Sequence, residues 1–154
     1  MNLKVVAFNP NFARDFHDLN IEWLQTYFYV EPYDKEVLSK PRAYIIDKGG
    51  EIFFILRNST VVGTVALMPT ADPEVMELTK MAVHPEARGQ KIGQKLLQYC
   101  IDYGASQRYK ALILYSNTIL ENAIHLYRKY GFKELALEKD NPYKRANIKM
   151  LLEL

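Results

Sequence analysis

The chain has 154 residues, of which 49% are hydrophobic and 25% are charged, so it can bury one sizeable core and needs no second domain. Its formal net charge of +2 is far from the concentrated positive face typical of nucleic-acid-binding proteins. The composition therefore predicts one compact domain over residues 1–154, and charge gives no reason to expect a nucleic-acid partner.

Cysteine usage and hydropathy indicate the expected compartment. The single cysteine, Cys100, cannot form an intramolecular disulfide, and no apolar run approaches the roughly 20 residues that cross a bilayer. The N-terminal segment, MNLKVVAFNP, lacks the long apolar region and the cleavage site of a signal peptide. A soluble, cytoplasmic protein with no membrane partner is expected.

The N-terminal third predicts a strand followed by helices. Residues Leu3 to Phe8 are rich in β-formers, and Asn9-Pro10-Asn11 breaks the strand and can cap a helix. Apolar residues then recur at helical spacing on one stripe: Phe12, Phe16, Leu19, Trp23 and Tyr27. Glu31-Pro32 ends this helix, and a short second helix is predicted from Asp34 to Ser39.

The middle of the chain predicts antiparallel strands. Two β-rich runs, Ile52 to Leu56 and Val61 to Met68, flank the turn Arg57-Asn58-Ser59-Thr60, which is typical of a hairpin. A further strand is predicted at about Val75 to Val83, and the loop His84 to Gln90 follows it.

The C-terminal half alternates helices and strands. Helical spacing of apolar residues predicts a helix from Ile92 to about Ala105, and a short apolar run predicts a buried strand at Ala111 to Tyr115. The capping-box pattern Thr118-Ile119-Leu120-Glu121 predicts the start of another helix. Two last strands are predicted at Phe132 to Leu137 and Ala146 to Leu152. This order of elements indicates an α/β (α+β) sheet of mixed, mostly antiparallel direction, in which only segment 75–115 needs a parallel crossover.

One loop has the character of an anion site. Arg88-Gly89-Gln90-Lys91-Ile92-Gly93 stands where the strand ends and the helix begins. A helix N-terminus exposes unpaired N–H groups, and glycines let a phosphate approach the backbone closely. Glycine at such a junction is also common in a plain turn, so the hexapeptide alone leaves both interpretations open.

In two blocks the sequence resembles the GNAT superfamily of N-acetyltransferases. The first is the strand Glu77-Leu78-Thr79-Lys80-Met81-Ala82-Val83, followed by His84-Pro85 and the Arg/Gln-x-x-Gly-x-Gly/Ala loop at Arg88 to Gly93. The second is Leu126-Tyr127-Arg128-Lys129-Tyr130-Gly131-Phe132, which is similar to the superfamily's Leu-Tyr-x-Lys-x-Gly-Phe helix end. The blocks lie in the expected order and cover about the C-terminal half.

The resemblance implies a fold, a donor and a reaction. The fold is the GNAT-like acyl-CoA N-acyltransferase sheet of about seven strands with helices on both faces. Acetyl-CoA is then the acyl donor, and a primary amine of a small molecule or peptide is the acceptor. No metal is implied, since one cysteine and three scattered histidines indicate no metal site. A homodimer is left open.

The resemblance also assigns roles to residues. The backbone of Met81, Ala82 and Val83 is expected to pair with pantetheine and to polarise the thioester. The pyrophosphate is assigned to the loop and first helical turn: Arg88, Gly89, Gln90, Lys91, Ile92, Gly93 and Gln94. Tyr127 is the candidate general acid for the leaving thiolate, and Glu77 is the candidate general base, directly or through water.

The pattern of the superfamily is broken at two positions. Lys91 replaces the central glycine of the loop, so this position has to adopt a conformation that a side chain tolerates. Leu120 replaces an Asn that often contacts the pantetheine arm. Asn117 is the expected substitute, because Asn122 lies about 140° around the helix from Tyr127 and is expected to point elsewhere.

Each assignment has a structural alternative. Tyr127 can simply pack in the core, Glu77 can be a solvated strand residue, and His84 is either a proton relay or exposed. The aromatic segment from Trp23 to Tyr33, with Glu31 and Asp34 interleaved, is a candidate lining for the acceptor pocket, where carboxylates would attract a cationic amine. A non-catalytic acyl-CoA-binding module is the alternative function. A nucleotide-binding domain of another family is disfavoured, because neither Gly-Lys-Ser/Thr nor Gly-x-Gly-x-x-Gly occurs.

Overall fold

A computed structural model describes residues 2–154, which contain seven strands: Leu3–Ala7 (β1), Glu51–Arg57 (β2), Thr60–Pro69 (β3), Val75–Val83 (β4), Ala111–Ser116 (β5), Lys133–Leu135 (β6) and Ile148–Glu153 (β7). They form one sheet in the order β1-β2-β3-β4-β5-β7-β6. The helices are Ala13–Tyr27 (α1), Pro32–Ser39 (α2), Pro41–Tyr44 (α3), Ile92–Ser106 (α4) and Glu121–Lys129 (α5). Within residues 2–154, no helix has the length and apolar character that crossing a membrane requires.

The directions of the strands confirm the predicted mixed sheet. Every neighbouring pair is antiparallel except β4 and β5, which are parallel and joined through α4. A parallel pair needs such a crossover, because the chain must return to the same end of the sheet. The predicted crossover over segment 75–115 is therefore confirmed.

Both faces of the sheet are covered by helices, and β2 shows why. Phe53 and Ile55 pack in one core with residues of α4 and α5, while Ile52 and Phe54 pack in a second core with residues of α1 and α2. Successive strand residues point to opposite faces, so an unbroken apolar run is stable only between two layers of helix. Each such side chain contributes roughly 1.5–3 kcal/mol when fully buried.

The β2–β3 hairpin turns within the predicted segment Arg57 to Thr60, at the two residues Asn58 and Ser59. Asn58 and Ser59 both have positive φ, 51° and 70°. Two consecutive left-handed residues match the twist of antiparallel strands, and Asn tolerates this conformation better than most residues.

Several predicted element boundaries differ from the structure, and helix α1 ends at Tyr27 rather than at Glu31-Pro32. Helix α2 begins at Pro32 rather than Asp34, because Glu31 and Asp34 form a reciprocal capping box around its first turn. The predicted capping box at Thr118 does not form, because Asn147 contacts this threonine and the helix begins only at Glu121. Strand β6 stops at Leu135 and β7 begins at Ile148, which leaves residues 136–147 as a connecting loop.

Strands β4 and β5 separate partway along their length. They pair only where Val75 to Glu77 lie beside Ala111 to Ile113. Further along β4, Lys80 has φ 56°, and the β3–β4 register shifts between Thr64 and Ala66. This is a β-bulge, which bends the strand and disturbs pairing.

Candidate functional site

The parted strands enclose the larger of two neighbouring cavities, with a volume of about 440 Å³. From β4 it is lined by Leu78, Thr79, Lys80, Met81, Ala82 and Val83, and from the end of β5 and the loop beyond it by Leu114, Tyr115, Ser116 and Asn117. Because β5 no longer pairs with β4 here, backbone groups on the facing edges of both strands can bind a ligand that lies between them.

The second cavity, of about 330 Å³, lies at the N-terminus of α4. It is lined by Val83, by Ala87, Arg88, Gly89, Lys91, Ile92, Gly93 and Gln94, and by Asn122, Ala123 and Leu126 of α5. Val83, Arg88, Gly93, Asn122 and Ala123 line both cavities. One elongated ligand can therefore reach from the helix N-terminus into the space between the strands.

Amide groups at the start of α4 are available to an anion. The first intrahelical bond runs from Lys95 N to Lys91 O at 3.1 Å, so the amides of Ile92, Gly93 and Gln94 precede the bonded turns. Lys91 adopts the left-handed conformation at φ 64° and ψ 22°, which costs a residue with a Cβ about 1 kcal/mol or more. The lysine thus keeps the backbone geometry that a glycine would give, and its side chain is exposed.

Several loop side chains are engaged away from this helix N-terminus. The Arg88 guanidinium donates to the Glu22 carboxylate and lies 5.5 Å from the centre of the Tyr27 ring. Gln90 accepts a hydrogen bond of 2.6 Å from Arg57 and donates to the Glu86 carbonyl at 3.3 Å. The Ile92 side chain is buried in the core. The loop therefore offers a ligand mainly its backbone.

The two asparagines near α5 are placed differently from expectation. Asn117 lines the larger cavity, but its amide donates to the Arg145 carbonyl at 2.8 Å and its Oδ1 accepts from Ile119 N at 2.9 Å. Asn122, expected to point elsewhere, lines both cavities and is exposed. Its side chain is the freer of the two to meet a ligand.

Tyr127 lines the larger cavity beside the core. Its ring lies 5.7 Å from that of Phe132, and its hydroxyl has no hydrogen-bond partner among residues 2–154. Since no buried side-chain nitrogen or oxygen lacks a partner in this part of the chain, the hydroxyl reaches the open cavity. Burial raises the pKa of Tyr127 to about 12, so the hydroxyl stays protonated at neutral pH, as a proton donor requires.

Glu77 is buried behind the larger cavity and does not line it. Its Oε2 accepts a hydrogen bond of 2.7 Å from the hydroxyl of Tyr143, a cavity residue. The same hydroxyl lies 3.2 Å from Lys80 Nζ and 3.1 Å from Thr79 Oγ1. Burial raises the pKa of Glu77, and the positive charge of Lys80 opposes this increase. In this arrangement, Glu77 does not directly contact an acceptor that is bound in the cavity.

Behind these residues lies a buried ion-pair cluster. Arg145 Nη1 donates to Asp34 at 2.6 Å and to Glu31 at 2.8 Å, and its Nη2 donates to Asp34 at 3.0 Å. Lys80 Nζ lies 3.5 Å from Asp34, and burial lowers the pKa of this lysine. The expectation that Glu31 and Asp34 attract a cationic amine is therefore wrong, because protein cations occupy both carboxylates.

The aromatic segment contributes only partly to the cavity. Trp23, Tyr27 and Phe28 line it, while Tyr29 and Tyr33 do not. The centre of the Trp23 ring lies 5.2 Å from that of Tyr27 and 5.7 Å from that of Phe28. These tilted contacts are typical of stable aromatic packing, so the three rings give the cavity an apolar side.

Sequence reasoning missed Tyr143 and Arg145 and gave Lys80 no role of its own. The first two lie in the loop 136–147, where no periodic pattern exists to place a side chain. Lys80 lies on a strand where lysine usually indicates a solvated face, yet its ammonium is buried. The Asn141-Pro142 pair is a turn signal that could have indicated a bend at this position, and Asn141 Oδ1 accepts from Tyr143 N at 2.9 Å.

Other candidate groups lie outside the cavities. Cys100 is buried in the core, as expected, and burial raises the pKa of its thiol. His84 is exposed, and its Nδ1 accepts from Glu86 N at 3.1 Å. Residues 2–154 hold no group of three or more His, Cys, Asp or Glu side chains arranged to bind a metal ion.

Comparisons with known sequences agree on one family. The family model described as Acetyltransferase (GNAT) family matches residues 17–132. An uncharacterized N-acetyltransferase of Schizosaccharomyces pombe is 29% identical over 136 residues, which cover 86% of this chain and 83% of that relative. N-acetyltransferase 8 of Rattus norvegicus is 26% identical over 97 residues, which cover 60% of this chain and only 44% of the rat protein.

Solved structures share the fold over almost the full chain. A GNAT-family acetyltransferase from Staphylococcus aureus Mu50 has a TM-score of 0.86 at 20% identity, with 99% of each chain covered. The PaiA N-acetyltransferase of Thermoplasma acidophilum, solved in complex with coenzyme A, has a TM-score of 0.76 at 18% identity, with 100% of each covered. A chimera of the spermidine N-acetyltransferase SpeG from Vibrio cholerae and hSSAT has a TM-score of 0.77 at 21% identity, covering 99% of this chain and 96% of the chimera.

Proposed function

The chain belongs to the GNAT family of acetyltransferases and is an acetyl-CoA-dependent acyltransferase, and from this premise we propose that it acetylates a primary amine bound between β4 and β5. The observation that carries the proposal is the continuity of the two cavities. A helix N-terminus suited to a pyrophosphate leads directly to a pair of parted strands suited to a thioester. The acceptor is a small molecule or a peptide.

In this proposal, coenzyme A is held mainly by backbone. The amides from Arg88 to Gln94 bind the pyrophosphate, where the partial positive charge of the α4 N-terminus favours an anion. Met81, Ala82 and Val83 pair with the pantetheine arm through the β4 edge that β5 leaves open. Asn122 contacts the cofactor at the junction of the cavities, and Asn117 holds the loop beyond β5 in place. The ammonium of Lys91 adds charge near the phosphates.

Gly93 supports the fit of this cofactor. A Cβ added at Gly93 would lie 3.7 Å from Met81 Sδ and 3.9 Å from Val83 Cγ2, which are ordinary contacts. The protein itself therefore leaves room for a side chain at a position that lines both cavities. A helix interior disfavours glycine by roughly 0.5–1 kcal/mol relative to alanine, so a ligand that needs this space is a physical reason for the glycine.

The chemistry needs three groups. A backbone amide of β4 polarises the thioester carbonyl and stabilises the tetrahedral oxyanion. Tyr127 donates its proton to the sulfur as coenzyme A leaves. Glu77 is the base that takes the proton of the acceptor ammonium, whose pKa is near 10.4 for an alkyl amine. Its raised pKa makes it a better proton acceptor than an ordinary carboxylate.

The charged residues that line the larger cavity indicate which kind of acceptor fits it. Its charged lining residues are Lys80, Arg88 and Arg145, each paired with a carboxylate. Among residues 2–154, the lining of this cavity includes no carboxylate to bind a second ammonium of a polyamine, so an acceptor with one amine and an apolar body, packed on Trp23 and Phe28, fits better. We place the protein in the cytoplasm, which suits the free thiol of Cys100, with a homodimer open to measurement.

Calorimetry and a thiol-release assay test the proposal together. Wild type is titrated with coenzyme A and acetyl-CoA, and thiol release is then screened over arylamines, alkyl amines, polyamines, amino acids and peptides. We expect saturable binding and release with at least one amine. Absence of binding would overturn the site, while binding without release over the whole panel would favour the non-catalytic module.

Gly93→Ala separates ligand binding from folding. We expect at least tenfold weaker binding of coenzyme A, with a free energy of unfolding equal to or up to about 1 kcal/mol above that of wild type. Gln98→Ala, on the exposed side of the same helix, is the control and keeps full affinity. Unchanged affinity in Gly93→Ala contradicts the proposed path of the cofactor.

A further inference from the structure

We propose that the Tyr143 hydroxyl relays the proton of the acceptor ammonium to Glu77, which makes Tyr143 a catalytic residue of the proposed acetyl transfer. The proposal rests on that function and specifies how its base reaches the acceptor. The observation behind the proposal is that Tyr143 lines the cavity and Glu77 does not, although the Tyr143 hydroxyl and Glu77 Oε2 are 2.7 Å apart.

The hydroxyl of Tyr143 has the bonding capacity that a relay needs. A phenolic hydroxyl donates one hydrogen bond and accepts two. It donates to Glu77 at 2.7 Å and accepts from Lys80 Nζ at 3.2 Å. Thr79 Oγ1 lies at 3.1 Å, and it also lies within hydrogen-bonding reach of Glu77. When Thr79 turns to Glu77, one lone pair of Tyr143 is left for the acceptor.

The position of this hydroxyl is fixed by packing on every side. The Tyr143 ring lies 5.8 Å from that of Tyr115 and 5.9 Å from that of Tyr33. Lys80 Nζ lies 4.4 Å and the Arg145 guanidinium 4.9 Å from its centroid. Tyr143 is 4% exposed. A ring held in this way keeps its hydroxyl aligned with Glu77 at the wall of the cavity that Tyr143 lines, and proton transfer requires such a fixed geometry.

The transfer is balanced in atoms and charge. An N–H bond of the ammonium breaks as an O–H bond forms at Tyr143, and the original phenolic O–H bond breaks as its proton bonds to Glu77 Oε2. The acceptor is left as a neutral amine, Tyr143 as a neutral hydroxyl, and Glu77 as a neutral acid. The lone pair of the amine can then attack the thioester.

The surrounding charges permit both protonation states of Glu77. The groups that face the pair are Lys80 of β4, Asp34 and Tyr33 of α2, Tyr115 of β5, and Arg145 of the loop. Lys80 favours the carboxylate, while burial favours the neutral acid and raises the pKa of Glu77. Burial and the nearby Glu77 charge also raise the pKa of Tyr143 well above its usual value, so the hydroxyl passes a proton on without remaining ionised.

Tyr143→Phe tests the relay, because it keeps the ring and removes only the hydroxyl. The acceptor is whichever alkyl amine wild type acetylates fastest among phenethylamine, spermidine and Nα-blocked lysine. At pH 7 we expect kcat/KM to fall about 100-fold, with coenzyme A affinity within twofold of wild type. As pH rises towards about 10.4, the amine loses its own proton, so the rates of variant and wild type should converge.

A double-mutant cycle distinguishes the relay from a packing role. If Glu77 and Tyr143 act in sequence on one proton, Glu77→Gln combined with Tyr143→Phe is no slower than the worse single variant, within twofold. Tyr99→Phe, an exposed tyrosine on α4, is the control and keeps full activity. A loss that is the same at every pH, or multiplicative losses in the double variant, overturns the relay. Wild type that acetylates another amine of the panel but none of these three overturns the relay alone, whereas wild type that acetylates no amine of the panel contradicts the proposed function and the relay with it.

Discussion

Replacing Arg145 by alanine should destabilise the protein strongly, because its guanidinium neutralises two buried carboxylates. The Asp34 side chain is 0% exposed and that of Glu31 is 6% exposed. Three hydrogen bonds of 2.6–3.0 Å join them to Arg145. Removing one partner of a buried ion pair costs about 3–5 kcal/mol, since the other charge is left without compensation.

For Arg145→Ala we expect a cost at the lower end of the range for a broken buried ion pair, because other groups still compensate both carboxylates. Lys80 Nζ, 3.5 Å from Asp34, still compensates part of its charge, and the amides of Lys144 and Arg145 still donate to Glu31 at 2.8 and 3.3 Å. We expect a loss of about 3 kcal/mol from a total that is about 5–15 kcal/mol for a typical domain. With a urea slope of about 2 kcal/mol/M, the midpoint shifts by about 1.5 M.

Urea unfolding, followed by fluorescence of the single tryptophan Trp23, measures this loss. The control is Arg128→Ala, which removes an exposed pair with a separation of 3.9 Å from Glu134 and should cost less than about 0.5 kcal/mol. A loss below 1 kcal/mol for Arg145→Ala would refute the reasoning, because it would mean that the two carboxylates are not held by this guanidinium.

The difference in stability between wild type and Arg145→Ala should depend on pH. Burial acts to raise the pKa of Asp34, but the hydrogen bonds of Arg145 and the nearby positive charges outweigh it, so the folded pKa lies below the ordinary value. Stability from a depressed carboxyl pKa is present above the unfolded value of about 3.9 and is lost as pH falls through the folded value. The difference between wild type and Arg145→Ala should therefore narrow below about pH 4. A constant difference down to pH 2 would contradict the assignment.

Two further variants test the cofactor side of the site. Lys91→Gly should keep the free energy of unfolding within about 1 kcal/mol of wild type, since relief of the left-handed strain offsets the entropy cost of glycine. Calorimetry should show coenzyme A affinity reduced less than tenfold, and a larger loss would mean that the ammonium, rather than the backbone, dominates phosphate binding. Tyr127→Phe should lower kcat about 10- to 100-fold in the thiol-release assay with unchanged coenzyme A affinity, because its hydroxyl has no hydrogen-bond partner in the described residues 2–154. Unchanged kcat would exclude Tyr127 as the acid.

Most helices and strands were predictable, because sequence patterns within a few residues determine where they form. The bounds of β4 agree with the predicted Val75 to Val83, and α4 begins at the predicted Ile92, since the turn at Asp72-Pro73 marks the start of the strand and a helical apolar stripe is visible over one short stretch. The β2–β3 turn was predictable for the same reason. The start of α5 was not, because Asn147, far along the chain, contacts the residue that was expected to cap it.

The buried charge cluster could not be predicted in this way. Arg145 contacts Asp34 across 111 residues of sequence, and Tyr143 contacts Glu77 across 66. No periodicity links such positions. The direction of the Arg88 side chain also depends on Glu22, 66 residues away, so the motif predicted where the loop lies but not which of its atoms face a ligand.

The contrast between local patterns and long-range contacts explains why the sequence indicates the acyl donor but not the acceptor. The proposed cofactor contacts are backbone groups of one continuous segment, from Met81 to Gln94, so a chain that keeps the local geometry keeps them whatever its side chains. The proposed acceptor side is assembled from α1, Phe28 and the loop 136–147, and it depends on side chains such as Trp23 and Tyr143. Structures that share about 20% identity with this chain can therefore share the first property without the second. The spermidine N-acetyltransferase chimera among these structures therefore shares the fold alone with this chain, in which Arg145 and Lys80 are paired with the carboxylates of Glu31 and Asp34.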